Sequence, residues 1–384
     1  MQLQLSPQDT TFRAQMREFF TTEVDEQIRH TVQQGRELSA EQIRESQRTL
    51  NRAGLAVPAW PVEWGGRDWT ERQRHIWLAE MQRAGVPRPL SFNTDMIGPV
   101  LAAFGTREQQ RKFLAPTANL DIWWSQGFSE PDAGSDLAGL RTAAVKDGDE
   151  WIVTGQKTWT TLGQYGDWIF TLVRTNPQAK KQAGISMLLI DMSSPGLQVR
   201  PIELIDGGHE VNEVWFDEVR VPAANLVGEL DGGWTIAKFL LGNERVGSAP
   251  VATTKQALAQ LKLVARERIE HDPYTRARVA ELENDLLALE LTTLRVVADS
   301  RDGEPHPASS VLKLRGTELQ QAVSELAVDL AGPSGMASGA PDTSEIPGWQ
   351  RRSAPHYLNL RKTSIYGGSN EIQRQIIARR ILGL

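Results

Sequence analysis

The chain has 384 residues, 40% of them hydrophobic and 23% charged, a balance that suits two or three folded domains and gives no sign of a disordered or fibrous protein. A formal net charge of -6 provides no general basic surface for nucleic acid, so any phosphate-bearing ligand must be met by local positive groups. With no cysteine there is no disulfide framework, thiolate nucleophile or cysteine-held zinc or iron–sulfur centre; no metal site is expected, and redox chemistry would need a bound cofactor.

Residues Met1 to Phe20 carry charges throughout and no apolar leader region, and no stretch approaches the roughly 20 apolar residues that span a bilayer. The expectation is a cytoplasmic protein without a membrane segment. From Ser6 to about Phe113 the periodicity predicts helices, including Glu41 to Ala53 and Thr70 to Ala84, interrupted by a loop over Pro58 to Arg67. From about Asp121 to Gly232 short β-branched and aromatic runs predict strands at Trp151 to Thr154, Trp168 to Val173, Ile185 to Ile190 and Val211 to Phe216. Asp147-Gly148 marks a hairpin, and the regular spacing favours an antiparallel barrel or sandwich over a parallel sheet.

After Gly232-Gly233 the helical pattern returns to the end, with loops near Asp302 to Pro307 and Gly332 to Pro347. One helix has Asp272 as its cap, Pro273 in its first turn, and Val279, Leu282, Leu286 and Leu289 at steps of three and four. The expected fold class is therefore α+β in three parts: a helical domain over 1–120, a β domain over 121–232 and a helical bundle over 233–384. No strand-GxGxxG-helix unit is present, which argues against a Rossmann-type dinucleotide site.

Three segments carry a resemblance. SQGFSEPDAGSDLAGLRTAA (Ser125 to Ala144), GQKTWTTLGQYGDW (Gly155 to Trp168) and the closing IYGGSNEIQRQIIARRILGL (Ile365 to Leu384) resemble, in order, the signatures of the acyl-CoA dehydrogenase family. The resemblance covers essentially the whole chain and implies FAD held between the β domain and the bundle. By matching position it gives Gln126, Ser129, Trp159, Thr161, Ser369 and Glu371 to the flavin, with Trp159 flanking the ring and Thr161 bonding its N5 edge. Ser135 and Arg245 fall to the CoA part of the substrate. The residue types suit these roles, because an indole can cover a ring and hydroxyls can bond its heteroatoms, although a tryptophan among 12 is ordinarily a core residue.

Abstracting a proton beside a thioester carbonyl needs a positioned carboxylate. Many family members carry it as the third residue of the closing signature, where this chain has Gly367. The isovaleryl-CoA and long-chain branches place it in a leucine-rich helix ending Glu-Arg, and Phe239-Leu240-Leu241-Gly242-Asn243-Glu244-Arg245 matches that position. Glu244 is the expected base.

Family dimers complete each flavin site with an Arg-x-x-Phe-Gly stretch and a Gln-x-x-Gly-Gly turn from the neighbour. Here Ala265 to Ile269 runs through His271-Asp272-Pro273 without the first, and Asp329-Leu330-Ala331-Gly332-Pro333 replaces the second with a carboxylate and a residue lacking an N–H. The resemblance is accordingly to large subunits of heteromeric enzymes acting on pimeloyl-CoA or steroid side-chain CoA esters. It implies a homologous small subunit, an α2β2 assembly and an electron-transfer flavoprotein as acceptor. A non-catalytic subunit, as Gly367 suggests, and an acyl-CoA oxidase stay open.

Overall fold

The computed structural model describes residues 5–246, 250–299, 306–337 and 345–384, without the side chains of 242–246 and 297–299. Six helices come first: α1 (Pro7–Thr22), α2 (Glu26–Gln33), α3 (Ala40–Arg52), α4 (Glu71–Arg83), α5 (Gly98–Phe104) and α6 (Arg107–Ala118). Helices α3, α4 and α6 start on capping boxes, Ser39 with Gln42, Thr70 with Gln73 and Thr106 with Gln109, each satisfying two otherwise free amides. Their inner faces bury Leu50, Met81 and Leu114, which join Leu101 of α5 in one core.

Eight strands follow: β1 (Trp124–Gly127), β2 (Ala143–Asp147), β3 (Glu150–Thr161), β4 (Trp168–Arg174), β5 (Ile185–Asp191), β6 (Leu197–Ile202), β7 (Val211–Pro222) and β8 (Leu226–Val227). They form one sheet in the order β6-β7-β3-β2-β4-β5-β8, with β1 beside β4. The expected antiparallel pairing holds along the hairpins, and Gly148, at φ +57°, makes the tight turn between β2 and β3. The β1–β4 pair and one β2–β4 bridge are parallel instead. The β2–β3 hairpin intervenes between β1 and β4 and serves as the long crossover that parallel neighbours require.

The second helical half comprises α7 (Gly233–Val246), α8 (Val251–Val264), α9 (Arg266–His271), α10 (Pro273–Asp299), α11 (Ser309–Ala331), α12 (Gly348–Asn359) and α13 (Asn370–Ile377). Asp272 caps α10 by accepting the Thr275 amide at 3.1 Å, and Val279, Leu286 and Leu289 are buried against Leu312, Leu319 and Leu326 of α11. Leu282 packs at the edge of this cluster. Helix α7 belongs to the other core: Ile236, Ala237 and Leu240 pack with the first helices and the sheet. Of the two expected loops, 301–305 and 338–344 lie outside the described residues.

One buried asparagine joins the helical half to the sheet. Asn93, fully enclosed in a π-helical stretch (Phe92–Ile97), accepts the Trp124 amide at 3.0 Å and donates to the carbonyls of Thr117 (2.9 Å) and Ile122 (2.7 Å). Trp124 also donates through its indole to Thr117 Oγ1 at 2.8 Å and meets Phe113 edge-on. These contacts set where β1 enters the sheet. Replacing Asn93 by alanine would strand several buried partners at ~1–3 kcal/mol each. Asn93→Ala is expected to lose ~2–4 kcal/mol of unfolding free energy in denaturant titration, and a loss under ~0.5 kcal/mol would contradict this account of the joint.

Candidate active site

The first wall of the site grows from β1. Parallel pairing sets Gln126 opposite Phe170, and Thr171 Oγ1 donates to the Gly127 carbonyl at 2.7 Å. The chain then turns at Glu130 and Ala133, whose backbones exchange two hydrogen bonds. Within that turn Glu130 accepts the amides of Arg141 (2.6 Å) and Thr142 (2.9 Å) and pairs with the Lys157 ammonium at 2.7 Å. Lys157, with no exposed side-chain surface, also donates to the Phe128 carbonyl at 3.2 Å. Burial alone would push the Glu130 carboxyl up, but Lys157, Thr142 and the Arg141 amide outweigh it and hold it below its usual range. Burial drives the Lys157 ammonium below its ordinary value, against the pull of Glu130.

Strand β3 breaks register just beyond this pair. The irregularity lies between Lys157 and Thr160, and Trp159 sits in it with φ +60° and 58% of its surface exposed. Trp123 and Trp124, by contrast, are wholly buried. A left-handed backbone costs a tryptophan ~1–2 kcal/mol, and burial of an aromatic ring of ~150–250 Å² is forgone as well. A strained, outward-facing indole is the kind of outlier that marks a ligand surface. Gln126, Ser129 and Thr161 are half-buried near it in the fold, and no side-chain hydrogen bond among the described residues engages them or Trp159. An exposed ring wall with uncommitted amide and hydroxyl groups fits the face and edge of a flavin.

A second group of expected site residues lies at the turn before α13. Gly367 and Gly368 have φ +63° and +86°, and their carbonyls are held by Gln373 Nε2 at 3.2 and 3.1 Å, with Lys313 Nζ also on Gly368 at 2.9 Å. Ser369 caps α13 through the Ile372 amide. Glu371 is exposed, its carboxyl held below the usual range by its own backbone amide, by Ser369 and by nearby Arg374 and Lys313. The sheet and the bundle are tied together by Glu210. Its carbonyl accepts the Leu162 amide at 2.7 Å, while its carboxylate takes Lys362 and Asn359 of the bundle; Asn359 also donates to Asp206 at 2.7 Å.

Of the remaining expected site residues, Ser135 is exposed on the loop after β1. Glu244 and Arg245 fall in the last turn of α7, and their side chains lie outside the described residues. Sequence reasoning missed Glu130, Lys157, Glu210, Lys313 and Gln373. The first two stand inside the family signatures, and a charged lysine within the mixed run of β3 was the available signal.

Helices, a sheet with an outward tryptophan at a bulge, and a bundle ending in a glycine turn define the architecture of an acyl-CoA-oxidising flavoprotein. The family's N-terminal domain matches residues 6–121, its middle domain 125–219 and its C-terminal domain 231–382. The chain belongs to the acyl-CoA dehydrogenase family and is an oxidoreductase of that family, for which FAD is the expected cofactor. It is 39% identical over 358 residues to acyl-CoA dehydrogenase IpdE1 of Mycobacterium tuberculosis, covering 91% of this chain and 90% of the relative. Among solved structures, the ChsE4-ChsE5 complex from Mycobacterium tuberculosis superimposes with a TM-score of 0.85 at 31% identity, covering 100% of this chain and 99% of that one. The steroid ACAD Tcur3481-Tcur3483 superimposes with a TM-score of 0.88 at 28% identity, again over 100% of this chain and 99% of that one. No helix among the described residues is long and apolar enough to cross a membrane.

If the strain at Trp159 serves a ligand, stability and binding should separate. Trp159→Gly is expected to leave the flavin-free protein as stable or up to ~1 kcal/mol more stable, since glycine adopts φ +60° freely. FAD affinity should fall by about tenfold or more, as expected for a lost aromatic contact. Thermal melts and FAD titrations read the two effects, and unchanged FAD affinity would refute the role.

Proposed function

We propose that this chain is the catalytic subunit of a heteromeric FAD-dependent dehydrogenase that introduces an α,β double bond into a bulky acyl-CoA, a steroid side-chain or ring-bearing ester first and a dicarboxylic one next. The observation that carries the reading is Trp159, held outward in a strained bulge beside the uncommitted Gln126, Ser129 and Thr161. Bound FAD supplies the hydride acceptor at its N5. Trp159 covers the ring and keeps water from it, Thr161 bonds the N5 edge, and Gln126, Ser129, Ser369 and Glu371 hold the remaining flavin contacts. Ser135 and Arg245 meet the CoA portion, and the Glu244 carboxylate takes the Cα proton. An electron-transfer flavoprotein would be the acceptor for the bound cofactor's electrons.

The Gly367 turn supports a base elsewhere. A glutamate at 367 would have to adopt φ +63°, where a Cβ costs about 1–2 kcal/mol, so the turn favours glycine. The missing side chain leaves room beside the thioester, which suits a bulky acyl group. The likeness to the steroid ACAD Tcur3481-Tcur3483 supports the same substrate class.

The heteromeric reading rests on the surface this chain would offer a neighbour's flavin. Helices α8 and α10 are joined by the short α9 and Asp272, with no projecting loop. Asp329 is paired with Arg278 at 2.7 Å, Arg268 holds the Leu330 carbonyl, and Pro333 has no N–H. Both similar structures join two differently named proteins, ChsE4 with ChsE5 and Tcur3481 with Tcur3483, which supports a partner of another sequence here.

Glu244→Gln preserves shape and removes the proton acceptor; substrate bleaching of the flavin should slow by about 10²–10⁴-fold with FAD content unchanged. Wild-type bleaching in that variant would remove Glu244 from the mechanism. The chain produced alone should be flavin-poor and inactive, whereas its complex with a homologous small subunit should hold one FAD per heterodimer. Flavin absorbance against protein mass decides this, and a fully flavinated, active homo-oligomer would refute the half-site reading.

A further inference from the structure

The buried pair of Lys157 and Glu130 lies behind the flavin wall and takes no part in the chemistry proposed above. Lys157 reaches across to the Phe128 carbonyl (3.2 Å) and the Glu130 carboxylate (2.7 Å), so it grips the residues on either side of Ser129. Ser129 is held from the opposite direction too, its carbonyl accepting the Thr158 amide at 2.9 Å. The residue after Thr158 is Trp159, at the register break. The two amides of Arg141 and Thr142 complete the Glu130 acceptor set and anchor the far end of the loop.

A fully enclosed ion pair is a weak source of stability, because desolvation offsets most of the attraction and an apolar filling often does as well. What such a pair adds is direction: fixed donors aimed at fixed acceptors. We propose that Glu130 and Lys157 are positioning residues for the flavin, whose buried pair locks Ser129 and Trp159 into the one arrangement that presents hydroxyl and indole to the ring together. This rests on the assignment of Ser129 and Trp159 to the flavin. The pair touches neither cofactor nor substrate; it acts through the two residues it braces.

The test is the neutral replacement Glu130→Gln with Lys157→Met. Glutamine keeps the shape and one acceptor oxygen, so one of the Arg141 and Thr142 amides stays satisfied, and methionine fills the volume of the lysine stem. It is made in the protein as it purifies, with or without a second subunit, and read by FAD titration, by the flavin band and by amide hydrogen exchange on flavin-free protein. The expected result is a cooperatively melting variant with at least about tenfold weaker FAD binding, an altered flavin band, and faster exchange confined to 128–130 and 158–162. Wild-type affinity and band shape, or an affinity loss that merely follows a uniform rise in exchange over the whole chain, would overturn the proposal. Should the double variant not fold, Lys157→Met alone, which leaves the Glu130 carboxylate on the Arg141 and Thr142 amides, is expected to give the same localised pattern, and its absence counts equally against the pair. If the wild-type complex with its small subunit binds no FAD, the functional reading falls by itself; exchange in flavin-free protein still judges whether the pair holds these segments, and an unchanged 128–130 and 158–162 overturns that.

Discussion

A lysine ammonium placed where no water reaches it must find fixed partners or lose its charge, and Lys157 finds them in Glu130 and the Phe128 carbonyl. That requirement fixes the chain on both sides. The segment from β1 to β2 has to fold back so that residues 128 and 130 meet the ammonium, while β3 has to bring residue 157 inward before its register breaks. Trp159 emerges at the break because the strand's alternation has been interrupted there. The geometry of the wall thus follows from satisfying one buried charge. The tryptophan faces outward with its ring uncovered because neighbouring positions are committed to the interior.

Much of this was legible in the sequence, and the exceptions have physical reasons. Four of the strands and several of the helices stood out because period-two and period-3.6 patterns, the Asp147-Gly148 turn and the Asp272-Pro273 helix start are local signals. Strand β1 escapes such a reading because it is four residues long and pairs in parallel with a strand about forty positions onward, so nothing local marks it. The inward turn of Lys157 is hidden by two register shifts in β3, which break the parity on which any reading of strand faces depends. Glu210 is invisible for another reason: its partners Leu162 and Lys362 are distant in sequence, and its side chain is ordinary for a loop.

The sheet and the bundle are coupled by chemistry of different strength. Glu210 is part-exposed, so its pairing with Lys362 contributes little to overall stability in water. Its value lies in position, since the same residue holds the Leu162 amide through its carbonyl, one residue past Thr161, and the bundle through its carboxylate, three residues before Ile365. Shifting the bundle against the sheet would therefore break a hydrogen bond at the end of the proposed flavin wall as well as a surface ion pair. The glycine turn on the bundle side is stiff for its size, because Gln373 and Lys313 hold the carbonyls of both glycines.

That stiffness bears on the proposal that the base lies away from the closing signature. A turn with φ of +63° and +86° at consecutive residues, pinned from beneath by a buried glutamine and a buried lysine, is shaped around the absence of side chains. Restoring a glutamate at 367 would meet that backbone before it met any substrate. The far end of the bundle is rebuilt in the same sense. Asp329 is neutralised by Arg278 within the chain, and Arg268 occupies the carbonyl at the end of α11, so the groups that would have to be free for a neighbour's pyrophosphate are engaged at home. Both departures from the family pattern are thus compensated locally, as expected of a surface maintained for another use and not of one left with unpaired charges. On the proposed half-site reading, a chain arranged in this way leaves the wall with Trp159 open and closes over the surface it would lend, which is why the proposed partner is a different subunit and not a second copy.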